Sequence, residues 1–176
     1  MINEAVKQFE STTQHLLHVI SSFTQQQLNM VPFEGSWTPA QVADHIIKSQ
    51  LGFTDLFCGR TIPANRRADE KNEAIGKVFL DYTIKMQAPE FILPSKEPQD
   101  KNTLMDSVKN KSIEIIDAVQ NLDPTEICLD FELPGFGKFT RLEWIYFIMY
   151  HAQRHTHQLE NIYKKMNNQV LSPSLQ

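Results

Sequence analysis

The sequence predicts an all-α protein, a four-helix bundle with a short hairpin or irregular segment ahead of its last helix. Three observations carry that expectation. Apolar residues recur every three or four positions through four long stretches, the period of an amphipathic helix. Those stretches have similar lengths and are separated by breaks rich in proline and glycine, as the helices of a bundle are. At 176 residues the chain also falls in the size range of one compact domain, about 100–200 residues, and contains no internal repeat or low-complexity tract. One domain over residues 1–168 and a flexible tail over 169–176 are therefore expected.

The elements follow in order. Val6, Phe9, Thr13, Leu16 (or Leu17), Ile20 and Phe23 form the stripe of the first helix. Thr24-Gln25-Gln26-Gln27 fits a capping box that restarts a short turn carrying Leu28, and Val31 to Gly35 breaks the pattern. A second helix starts with Thr38 as N-cap, Pro39 where its missing N–H costs nothing, and Gln41 completing the box. Its stripe, Val42, Ile46, Phe53 and Phe57, predicts one helix that fades near Gly59.

Residues 60–102 are the least regular. Arg60 to Pro63 reads as a loop, Asp69 to Lys77 tolerates helix, and Pro89, Pro94 and Pro98 forbid a long one. Phe79, Leu80, Tyr82, Phe91, Ile92 and Leu93 need an apolar surface, so the stretch reads as an excursion within the domain. Leu104, Val108, Ile115, Val119 and Leu122 mark the next helix, stopped at Asp123-Pro124. Leu129, Phe131 and Leu133 alternate ahead of a Pro134-Gly135-Phe136-Gly137 turn, the signature of a short hairpin. The last helix runs from Thr140 to about Asn167.

Composition excludes several functions. Seventeen Lys+Arg against 21 Asp+Glu give a net charge of −4, and nucleic acid would reward a basic stripe instead. No apolar run approaches the ~20 residues of a membrane span, and Met1-Ile2-Asn3-Glu4 lacks a signal-peptide layout. Cys58 and Cys128 are too few for a disulfide framework. With apolar neighbours, both read as inert buried thiols in a cytoplasmic protein whose partner is a small-molecule substrate.

The last helix carries the chemistry. Its stripe runs Trp144, Ile148, His151, His155, Leu159, Ile162, Met166, so two histidines occupy core positions one turn apart. A buried imidazole must partner both ring nitrogens or lose roughly 1–3 kcal/mol per unmet group. A divalent metal removes the difficulty, taking one nitrogen of each ring and leaving the other N–H for an acceptor. A third ligand is then required. His45 is the best candidate, seven residues after the Thr38 cap on a helix whose stripe faces the same core. His15, His18 and His157 default to the surface. Three histidines describe an open, catalytic type of site rather than a closed structural one. The metalloprotease signature is excluded, because Ala152 follows His151 where a glutamate is needed. Trp37 and Trp144 read as core anchors, and Phe131, Phe136, Phe139, Tyr146 and Phe147 either roof the cleft or cap the bundle end.

The segments Leu28-Asn29-x-x-Pro32 … Ser36-Trp37-Thr38-x-x-Gln41-x-x-x-His45 and Leu142-Glu143-Trp144 … His151-x-x-Arg154-His155-x-x-Gln158 resemble the DinB/YfiT-like superfamily. The resemblance implies a four-helix bundle with one divalent metal held by His45, His151 and His155, and three imidazoles accept zinc, nickel or iron alike. It also places Gln158 behind a ligand. Some relatives use a low-molecular-weight thiol as co-substrate for transfer or isomerisation, others are described only as metal-dependent hydrolases, and bundles of this kind often dimerise. The expected activity is thiol transfer, with hydrolysis by metal-bound water and a non-catalytic, metal-stabilised binding module as the alternatives. Arg154, one residue off the stripe, either steers an anionic substrate or is solvated.

Overall fold

The four long stretches are all helical in the computed structural model, which describes the backbone of residues 1–170 and the side chains of residues 1–168. The helices are α1 (Ile2–Ser22), α2 (Gln25–Leu28), α3 (Pro39–Ser49), α4 (Phe53–Cys58), α5 (Asn72–Phe79), α6 (Lys101–Val119) and α7 (Arg141–Val170). Both capping boxes form: Thr24 with Gln27 starts α2, and Thr38 with Gln41 starts α3. The expected second helix is two. Gln50 ends α3, and Gly52 takes φ +80°, a left-handed conformation that glycine adopts without a side-chain clash, to open α4. The flexible tail expected over 169–176 falls largely outside the described residues, and α7 itself continues to Val170.

α1 packs on α6 and α7, and α3 packs on the same two helices, so α1 and α3 hold opposite corners of the bundle. The consecutive helices α1 and α3 are thus diagonal neighbours, and α2 with residues 29–38 carries the chain across the end.

The 60–102 excursion is held from two sides. At one end β1 (Thr61–Ile62) pairs antiparallel with β2 (Ile127–Cys128), where the sequence predicted a loop and a hairpin. The expected hairpin is reduced to single antiparallel bridges, Ile127 with Thr140 on the other edge of β2 and Leu133 with Gly137. Nearby, the wholly buried Glu143 accepts two hydrogen bonds from the Arg66 guanidinium, at 2.5 and 2.7 Å, and one each from the Lys71 and Thr140 N–H groups. Thr140 Oγ1 in turn accepts from the Glu143 N–H, a third capping box, at the start of α7. At the other end, one face of α3 is laced to residues 92–95. Gln41 Nε2 donates to Ser95 O, the Ser95 N–H to Asp44 Oδ2, and Lys48 Nζ to Leu93 O, all within 3.2 Å.

The core divides into two apolar clusters stacked along the bundle. One gathers Phe9, Phe57, Ile115, Trp144 and Ile148; the other gathers Leu16, Ile20, Val42, Ile46, Leu159 and Ile162. Between them lies a polar waist. There Thr13 and Ser112 hydroxyls hydrogen-bond at 3.1 Å, Gln153 donates to Thr12, and Thr156 donates to Ala152 O. The waist contains His151 and His155 on α7 and faces His45 on α3. Cys128 is buried, and burial pushes its thiol up to about 11, as an inert thiol requires. Cys58 departs from expectation: it ends α4 on the surface, exposed.

Candidate metal centre

Two turns of α7 and one of α3 build the site. His151 and His155 point inward from adjacent turns, and His45 reaches them from the facing helix. The three Nε2 atoms converge: His45 to His151 is 3.2 Å, and His155 to His151 is 3.2 Å. His15, His18 and His157 take no part. His15 and His18 are exposed, while His157 stacks on Tyr82, ring centroids 3.9 Å apart, and its Nε2 accepts from Asn161 Nδ2.

The opposite ring nitrogens fix the protons. His45 Nδ1 lies 2.9 Å from the Ile92 carbonyl, which can only accept, so that nitrogen carries hydrogen. His155 Nδ1 donates to the Gln158 side-chain oxygen at 2.8 Å. His151 Nδ1 lies 3.3 Å from Ser49 Oγ, whose single hydrogen goes to Ile46 O at 2.7 Å, so here too the imidazole donates. All three rings are therefore Nδ1–H tautomers, and three bare Nε2 lone pairs face one another. Lone pairs 3.2 Å apart repel unless a cation lies among them. Tetrahedral ligands about 2.0–2.1 Å from zinc would stand at close to that separation. The residues fit a divalent metal.

Electrostatics agrees. Burial, then the neighbouring His45, pushes His155 down to about 4. His151 is held well below the ordinary imidazole value by burial and by the other two rings. Burial lowers His45 as well, against the pull of the Ile92 carbonyl and Asp44. The trio stays neutral at physiological pH, the state that ligation requires.

The free side opens into a cleft of about 1540 Å³. Trp37 leans on His45, centroids 5.1 Å apart, so it is a wall of the site rather than the core anchor its helix-start position suggested; Trp144 is that anchor, wholly buried. The aromatic crowd splits likewise: Phe139 is buried at the bundle end, while Phe131 and Phe147 line the cleft. Arg154 is half-buried and lines the cleft. Its guanidinium donates to the Phe79, Asp81 and Ile84 carbonyls, clamping the chain that leaves α5. Two groups escaped the sequence reading, Ser49 and the Ile92 carbonyl. Ser49 lies one turn after His45, a spacing that could have disclosed it; nothing in the sequence marks a backbone carbonyl.

The same architecture recurs elsewhere. YfiT from Bacillus subtilis, a probable metal-dependent hydrolase with an unusual four-helix bundle topology, superposes with a TM-score of 0.61 at 17% identity over 94% of this chain and 87% of its own. TT2238, a four-helix bundle protein, superposes with a TM-score of 0.54 at 20% identity over 92% of this chain and 99% of its own. In sequence the chain is 22% identical over 147 residues to YuaE, an uncharacterized protein of Bacillus subtilis, covering 84% of this chain and 90% of YuaE. Residues 8–159 match the DinB superfamily, a span that includes all three histidines, and the chain belongs to that superfamily.

Proposed function

We propose that this chain is a mononuclear divalent-metal enzyme that transfers a low-molecular-weight thiol to a small electrophilic substrate, with His45, His151 and His155 as ligands. The observation that carries the reading is the meeting of three unprotonated Nε2 atoms at the floor of an open cleft. A divalent cation held by three uncharged ligands keeps its full charge and lowers the proton affinity of a thiol or a water lying against it. Zinc, nickel and iron all accept such a ligand set.

The chain's own residues divide the remaining work. Ser49, Ile92 and Gln158 orient the rings through Nδ1. Trp37, Phe79 and Phe147 pack against His45 and His151 and give them apolar surroundings. Thiol transfer is favoured by the scarcity of general bases. Beyond the three ligands, the imidazole and carboxylate groups lining the cleft among the described residues are His157, which stacks on Tyr82, and Asp55 and Asp130, of which Asp130 is engaged by Arg60. A thiol, with a pKa near 8.5, needs less help to lose its proton than water at 15.7 does. Hydrolysis is the second reading, supported by the description of YfiT as a probable metal-dependent hydrolase.

The test has two parts. Elemental analysis should find one metal per chain, lost in His151→Ala and His155→Ala and kept in His15→Ala and His157→Ala. Metal-loaded protein offered cellular thiols and monochlorobimane should form the conjugate. Ester or amide turnover without any conjugate would favour hydrolysis, and a full metal complement in both α7 variants would end the proposal.

A further inference from the structure

Thirteen large apolar side chains stand exposed among the described residues, and eight of them line the cleft above the histidines. They include Phe91, at 74% the most open of the eight, together with Phe33, Leu51, Met86 and Phe131. Scattered exposed apolar residues are normal, but a contiguous group marks a binding site. The cleft is also large. Its volume of about 1540 Å³ exceeds the ~300–1,000 Å³ of ordinary ligand pockets. It is long as well: α7 contributes lining from Phe147 to Lys165, about 27 Å at 1.5 Å rise per residue. His151 and His155 fall within that run, so the groove extends beyond them in both directions.

The wall opposite α7 argues against an extended peptide as occupant. A peptide adding to an exposed edge needs free backbone groups. Here the Ile92 and Leu93 carbonyls and the Ser95 N–H are already taken by His45, Lys48 and Asp44. What the groove offers is apolar side-chain surface.

We propose that the substrate brought to the three histidines carries a long apolar body, an alkyl or aryl chain laid along α7 beneath Phe91 and Met86. This rests on the metal-enzyme reading only for which part of the molecule reacts. Binding of the body itself does not require the metal, so it can be measured without it. N-phenyl-1-naphthylamine, a neutral apolar fluorophore, should bind once per chain to chelated protein and to His155→Ala alike. Straight-chain alcohols should displace it with affinity rising by up to about fourfold per methylene from butanol to dodecanol, the gain for full burial of each group. Phe91→Ser and Met86→Ser should each weaken the probe several-fold. Ile113→Ser, exposed on α6 outside the cleft, should leave it unchanged. Equal competition by butanol and dodecanol, or unaltered affinity in the Phe91 variant, overturns the proposal. So does a concentration-dependent dimer that excludes the probe, which would assign this face to a second copy of the chain. Failure of the metal reading would register separately, as absent metal with probe binding intact.

Discussion

His151 is aimed through its Nδ1 by Ser49, a support that helical periodicity does not mark although it marks the histidine itself, which stands where a leucine belongs. Ser49 matters through its single hydrogen, which is spent on Ile46 O and leaves its oxygen to accept from His151. Ser49→Ala removes that acceptor without touching a ligand. Losing such a partner typically costs 10–100-fold in metal affinity, and competition against a calibrated chelator should find a loss in that range with one metal still bound at saturation. The histidines also set the acid limit of the apoprotein. An unfolded imidazole titrates near 6.5, whereas His155 is pushed down to about 4, and His151 and His45 move the same way. Between those values the unfolded chain binds protons that the folded chain refuses, so stability is complete above pH 6.5 and falls as pH drops toward 4. Urea midpoints of chelated protein should be flat from pH 8 to 7 and decline from 6.5 to 4. His155→Gln, which cannot titrate, should decline less over the same window; an identical slope would remove His155 from the account.

At the scale of elements, the capping boxes at Thr24 and Thr38 stood in the sequence because each is a local pattern. The break between α3 and α4 did not. Ile46 and Phe53 are seven residues apart, two turns, so the apolar stripe stays in phase across Gly52 and periodicity alone reads one helix. The start of α7 depends on a partner that lies 77 residues away, the Arg66 that holds Glu143. Such pairing is a property of the fold. Glu143 is wholly inaccessible and Arg66 only 15% exposed, so Glu143→Ala would strand a guanidinium and two backbone N–H groups. Breaking a buried pair from one side costs about 3–5 kcal/mol, and urea denaturation should return a loss of that size. The Arg67–Asp69 pair, where Arg67 is 78% exposed, is the control. Arg67→Ala should change stability by no more than about 0.5 kcal/mol.

The molecule as a whole is two apolar clusters joined through a polar waist, and the three-histidine cluster proposed to hold the metal belongs to the waist. Each cluster draws on α1, α6 and α7, so neither needs the ion to assemble. Among the described residues one hydrogen bond ties the three histidines to the 82–95 wall of the cleft, from His45 Nδ1 to the Ile92 carbonyl. Those two facts separate what chelation can and cannot do. A ligand present at a hundred times its Kd stabilises the fold by about 2.7 kcal/mol. For a chain of this length each kcal/mol shifts Tm by about 2–4 °C, so removing the metal should lower Tm by roughly 5–11 °C and leave the helical circular-dichroism signal at 20 °C unchanged. Without the cation the three Nε2 lone pairs repel, and His45 is the ligand whose displacement also releases Ile92. Limited proteolysis of chelated protein should therefore cut faster between Tyr82 and Ser95, with α1, α6 and α7 no more sensitive than before; the Gln41, Asp44 and Lys48 bonds still seat that wall in most molecules, as metal-free binding in the groove requires. Uniform acceleration across the helices, or collapse of the helical signal on chelation, would mean that the ion holds the bundle together and that the two clusters are not self-sufficient.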